Sequence, residues 1–127
     1  MKPVEQTQFG FPGGNCFAAC MASVLELSLD AVPNFESVKW FHEWNEWLRP
    51  RNLSLMTFSI RPHDEWKPDG VALLGAKSLR GDWLHSVVIL DGEIVWDPHP
   101  ERALGVGAWM DYTVFQVLDP SRARGEG

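Results

Sequence analysis

The stretch DWLHSVVILDGEIVWDPHP, residues 82–100, is the clearest hairpin in the chain. β-branched and aliphatic residues run up to Asp91-Gly92 and away from it, the pattern of two antiparallel strands around a tight turn. Two registers are open. A two-residue turn on Asp91-Gly92 pairs Leu90 with Glu93 and Ser86 with Asp97, which puts His85 and Asp97 on opposite faces. A three-residue loop, with Gly92 left-handed in a G1 bulge, sets His85 directly across from Asp97 with Cβ atoms about 5 Å apart.

Outward from the hairpin, LSLMTFSI (53–60) and VALLGAKS (71–78) read as strands separated by a loop over 61–70, and YTVFQVLDP (112–120) as a closing strand. The N-terminal half reads differently. Pro and Gly hold residues 1–14 in an extended loop, and Asn15 is a suitable N-cap for a helix from Cys16 to about Leu27. SLDAVPNF (28–35) is a short turn. Asn34 is expected to cap a second helix over 35–50, with Phe35, Val38, Phe41, Trp44, Trp47 and Leu48 on one face and Pro50 as its end. Helices first and strands after predict an α+β domain, with N-terminal helices packed on an antiparallel sheet. One domain over 1–120 and a flexible tail over 121–127 are expected.

Composition narrows the function classes. The chain has 127 residues, net charge -6 and no long Lys/Arg run, which argues against a nucleic-acid or anionic-membrane surface. No apolar run reaches the roughly 18 residues of a membrane span, and MKPVEQTQFG lacks a signal-peptide core, so a cytoplasmic protein with no membrane partner is expected. The two cysteines, Cys16 and Cys20, are expected to be free thiols. A metal site recruiting His85 or His99 to this pair is disfavoured, because no second Cys/His pair follows at ligand spacing. Neither a Walker A nor a dinucleotide fingerprint is present.

Cys16 stands where the glycine-rich loop becomes a helix. The unpaired N–H groups there stabilise a thiolate and can also face an oxyanion, so the position suits a nucleophile. A buried, inert thiol is the plainer alternative. A nucleophilic cysteine needs a base, and among four histidines His85, opening the apolar strand HSVVIL, stands out. The plainer alternative for His85 is a hydrogen-bonded structural residue. Asp97 is the natural group to orient the ring, and an Asp-Pro turn at the strand end is its other explanation.

With GGNCFAAC, an upstream Gln, LHSVV and WDPHP in view, the chain resembles the papain-like cysteine hydrolases. It is nearest to their compact bacteriocin-leader-peptidase-like (C39-like) group, which includes small bacterial and phage proteins. The resemblance implies a papain-like fold and a cofactor-free thiol hydrolase acting on a peptide, isopeptide or other amide bond of a peptide or protein substrate. It makes Cys16 the nucleophile, His85 the general base and acid, Asp97 the orienting carboxylate and Gln6 the oxyanion-hole side chain, with Gln8 competing for that last role. Phe17, directly after Cys16, departs from the Gly of the leader-peptidase pattern. Two alternatives stand beside hydrolysis: an inactive binding or regulatory module of the same fold, such as a phage protein that occupies a host target, and an assembly protein with tryptophans as interface anchors.

Overall fold

The computed structural model describes residues 1–123. Helix α1 (Cys16–Leu25) and helix α2 (Trp40–Leu48) precede a sheet of β1 (Leu53–Ser59), β2 (Val71–Lys77), β3 (Leu84–Leu90), β4 (Glu93–Trp96) and β5 (Trp109–Val117). A single turn of helix, α3 (Pro120–Ala123), follows. All neighbouring strands are antiparallel, in the order β1-β5-β2-β3-β4. The architecture is therefore α+β, with helices ahead of an antiparallel sheet. No helix among the described residues is long and apolar enough to cross a membrane.

Strand alternation divides the core. Leu55, Leu73 and Val88 pack with Ala18, Met21 and Ala22 of α1 and Trp44 and Leu48 of α2. Ala72, Leu74, Ala76, Val87, Ile89 and Tyr112 form the other layer. There Trp66, from the segment between β1 and β2, meets Tyr112 edge-on at 5.8 Å.

The hairpin takes the two-residue turn, not the three-residue loop. Leu90 pairs with Glu93, and Asp91 (φ 50°) and Gly92 (φ 82°) are both left-handed, as a type I′ turn requires. The bulge lies further along: Ile89 pairs with Ile94 but Val88 with Trp96, leaving Val95 as the extra residue. The shift has a packing cause. It brings Trp96 against the helix-side core, where its Nε1 donates to Val4 O at 3.0 Å. The extra residue also shifts everything after it by one, so Asp97, which an unbulged two-residue hairpin would set on the opposite face, comes to the side of His85.

Other boundaries differ for equally local reasons. Helix α1 stops at Leu25, because Glu26 adopts φ 58°. Helix α2 begins at Trp40 and Asn34 does not cap it. Asn34 Nδ2 instead donates to Gly14 O (3.2 Å), and Glu36 accepts from Gly13 N (2.9 Å). The residues expected to start the helix thus brace the glycine loop, and Val38, expected on the buried face, is 99% exposed. Strand β5 starts at Trp109, three residues earlier than its apolar pattern indicates. Residues 121–123, the start of the expected tail, continue a helical turn that begins at Pro120: Asp119 Oδ1 accepts from Ser121 N and Oγ, and Asn52 holds Asp119 through both backbone groups. The rest of that expected tail, 124–127, lies outside the described residues.

Candidate active site

The first eight residues run as a strap over α1 and the end of β4. Lys2 N donates to Ser23 O, Val4 N to Ser23 Oγ (2.9 Å) and Gln6 N to Pro98 O (2.9 Å). Gln6 is thereby buried beside Cys16, His85 and His99 around a small cavity of about 30 Å³. Its Nε2 donates to Gln8 O at 2.9 Å, which orients the amide and leaves a second N–H on the same nitrogen. Gln6 Oε1 is buried without a partner. Gln8 contributes this carbonyl, and as a residue it is exposed.

Asn15 occupies the N-cap position of α1 by its backbone, since Ala19 N donates to Asn15 O at 2.9 Å. Its side chain does not cap the helix. Oδ1 accepts from Thr7 N (3.0 Å) and Gln8 N (2.9 Å), and Nδ2 donates to Thr7 Oγ1 (2.9 Å). The loop of residues 8–15 closes through Asn15 N to Gln8 O. At Gly14 a Cβ would stand 2.2 Å from Gly10 O, so only glycine fits. By spending its amide on the strap, Asn15 leaves the first N–H groups of α1 uncapped by any side chain, beside a half-buried Cys16.

His85 and Asp97 are 3% and 7% exposed, and His85 Nε2 lies 2.7 Å from Asp97 Oδ1. The same oxygen accepts from His99 N at 2.9 Å, closing an Asx-type turn over Pro98. The turn and the orienting role are thus one arrangement: the turn aims the carboxylate at the ring. Arg102, lying over the Trp96 ring, donates from Nε to Asp97 O (3.1 Å) and pairs with Glu5 of the strap. With Nε2 engaged by Asp97, Nδ1 is the ring nitrogen left for Cys16.

Electrostatics couple the three side chains. Burial pushes the Cys16 thiol up, but hydrogen bonding to and the charge of His85, with backbone and hydroxyl bonds to Ser86, bring it below the ordinary thiol value. Burial alone would lower His85; the bond to Asp97 and the interaction with Cys16 outweigh it and raise the ring to about 9. Asp97 is desolvated too, yet the bonds from His85 and His99 hold its carboxyl below the usual range. All three directions favour a thiolate beside an imidazolium backed by a carboxylate.

Cys20 is a different thiol. It is fully buried, donates from Sγ to Ser86 O at 3.3 Å, and burial pushes it well above the ordinary value. It joins α1 to β3. Among the described residues no group of three His, Cys, Asp or Glu side chains is placed to hold a metal ion.

The structure thus brings Cys16, His85, Asp97 and Gln6 to one place. It adds Ser86, His99 N, Arg80 and Asp111, which sequence reasoning passed over. Arg80, whose Nη2 bonds Glu101 O, borders the small cavity. Asp111 has a readable signal: in WMDYTVFQV it shares strand parity with Thr113 and Phe115, so an acid occupies the helix-facing side of a strand. Comparison with protein-family models, curated proteins and solved structures finds no match to this chain.

Proposed function

We propose that the protein is a thiol-dependent hydrolase with a papain-like fold, cleaving a peptide, isopeptide or other amide bond through Cys16, His85 and Asp97. The observation that carries this reading is a thiol lowered below its ordinary value at an uncapped helix start, beside a histidine raised to about 9 by a 2.7 Å bond to a buried carboxylate. A structural His–Asp pair explains the raised ring; it does not explain a depressed thiol at the edge of a cavity.

In this mechanism the Cys16 thiolate attacks the carbonyl carbon, and the C=O electron pair moves onto oxygen. The Cys16 N–H and the free N–H of Gln6 Nε2 donate to that oxyanion. As the tetrahedral species collapses, the C–N bond breaks and imidazolium Nδ1–H protonates the departing amine. Water then attacks the thioester, giving its proton to the neutral ring, and the acid leaves as the C–S bond breaks. Asp97 keeps the ring oriented and favours its cationic form in the first step.

Iodoacetamide labelling across pH tests the reading in wild type and in Cys16→Ala, Cys20→Ala and His85→Ala proteins. Fast labelling near pH 6 is expected, abolished by Cys16→Ala, retained in Cys20→Ala and lost in His85→Ala. A thiol at its ordinary 9.0 is only about 0.1% ionised at pH 6, which sets the baseline. Equal, sluggish reactivity of both cysteines refutes the proposal and favours a binding module.

A further inference from the structure

A second cavity, of about 290 Å³, opens on the other side of Cys16. Phe17, Trp40 and Trp44 wall it, with Phe17 5.7 Å from Trp40 and 5.3 Å from Trp44 between ring centroids. Thr57 and Thr113, bonded to each other at 3.1 Å, and Asp111 line the sheet side. The Asp111 carboxylate is half-buried, and among the described residues no Lys, Arg or His nitrogen lies within 4.0 Å of it. It interacts with the Gly75 N–H, and burial pushes its carboxyl up. One such bond uses one of about four acceptor sites, so most of its capacity is unspent.

We propose, resting on the thiol-hydrolase reading, that this cavity receives a substrate side chain ending in a cation, lysine- or arginine-like, next to the attacked carbonyl. Its charged head would bond Asp111, and its methylene stem would lie along the aromatic walls. A desolvated carboxylate without a counter-ion is costly, and an incoming cation relieves that cost. Indole and phenyl faces attract cations and also cover an aliphatic stem. The net charge of -6 draws cationic segments towards the molecule. An aromatic cavity alone would fit any apolar side chain; Asp111 narrows the class.

The test compares acetyl-lysine and acetyl-norleucine chloromethyl ketones, which share the four-carbon side chain and differ by the terminal ammonium group, as alkylators of Cys16. Each rate is divided by the same variant's iodoacetamide rate, removing changes in the thiol itself. Wild type should prefer the lysine reagent by about tenfold or more, and Asp111→Asn should bring the two within about twofold. The amide keeps an oxygen for the Gly75 N–H, and thermal melting checks that the variant is folded. Equal wild-type rates, or a preference surviving in Asp111→Asn, overturn the assignment. If Cys16 proves unreactive to iodoacetamide, the hydrolase reading falls by itself. The cavity is then judged by binding of acetyl-lysine methylamide and acetyl-norleucine methylamide to the Cys16→Ser protein: lysine-selective binding lost in Asp111→Asn supports it, and no selectivity overturns it.

Discussion

The substitution Asp97→Asn isolates the carboxylate's charge from its shape. The amide side chain retains an oxygen that can accept from His85 Nε2 and His99 N, the two bonds of 2.7 and 2.9 Å made by Asp97 Oδ1. What disappears is the negative charge that holds the ring cationic. The rise of His85 from 6.5 to about 9 corresponds to at most about 3–4 kcal/mol in favour of the imidazolium, less after screening through the small cavity that the ring borders. Asp97 makes both the largest raising interaction, its hydrogen bond, and the smallest, its coulombic attraction, with the two Cys16 interactions between them. A bond to a charged acceptor is roughly twice as strong as one to a neutral acceptor, so losing the charge costs about 1–2 kcal/mol. The penalty is capped: a buried imidazolium that loses its partner can release its proton. The folded ring titrates above its ordinary value, so its contribution is full below pH 6.5 and is lost as pH rises through about 9. Asp97, titrating below its ordinary value, contributes above that value and loses its contribution as pH falls through the depressed one. Urea unfolding of wild type and Asp97→Asn should therefore differ most near pH 5–6.5, by about 1–2 kcal/mol, and converge towards pH 9.5. A parallel NMR titration of the His85 ring should show its midpoint falling towards 6.5. A stability difference constant from about pH 5.5 to 9.5, or a His85 midpoint unmoved by the substitution, refutes the coupling.

Asn15→Ala should cost about 1–3 kcal/mol in urea unfolding, because it strips partners from Thr7 N and Gln8 N; it should also slow hydrolysis by displacing Gln6 while leaving the pH midpoint of Cys16 labelling in place. Gly75→Ala would put a Cβ 2.3 Å from Asp111 Oδ1 and should destabilise by about 1–3 kcal/mol, a cost that largely vanishes in an Asp111→Ala background if that contact is the cause; a thermal-melt double-mutant cycle measures it. Cys20→Ala should cost about 1–2 kcal/mol through lost packing, and Cys20 should label with iodoacetamide only when the protein unfolds. Val38→Lys, at a fully solvated position, should change stability by less than about 0.5 kcal/mol, where a core-facing Val38 would give a loss of several-fold more.

What the sequence displays and what it hides divide along physical lines. Alternation and turn chemistry are local, so the strands 53–59, 71–77, 84–90 and 93–96 are legible within a residue or so. So is the junction at Cys16, where loop glycines meet a helical pattern. The start of α2 is hidden because Asn34 and Glu36 carry helix-start chemistry but spend it on Gly14 O and Gly13 N, partners about twenty residues away. The side chain of Asn15 is hidden for the same reason: its neighbours in sequence offer it a cap, while the strap, folded back by bonds to Ser23 and Pro98, offers it three bonds.

The hairpin carries the sharpest lesson. Geometry along the chain ties the union of His85 and Asp97 to one bulge, and Gly92 is its obvious seat. Asp91-Gly92 is equally good as a two-residue turn, and local propensity does not choose between them. The choice is made by Trp96, whose ring must reach the helix-side core and whose Nε1 must find Val4 O, a partner ninety-two residues away. Slipping Val95 out of register satisfies Trp96 and, by the same one-residue shift, turns Asp97 towards His85. Packing of an aromatic side chain thus decides on which side of the ribbon a carboxylate lands. A substitution that removes the need for the bulge, Trp96→Val, is accordingly expected to loosen His85 from Asp97 without touching either residue, and to lower the His85 midpoint in the same NMR titration. A midpoint held at about 9 in that variant would mean that the Asx turn at Asp97 orients the carboxylate without help from the bulge.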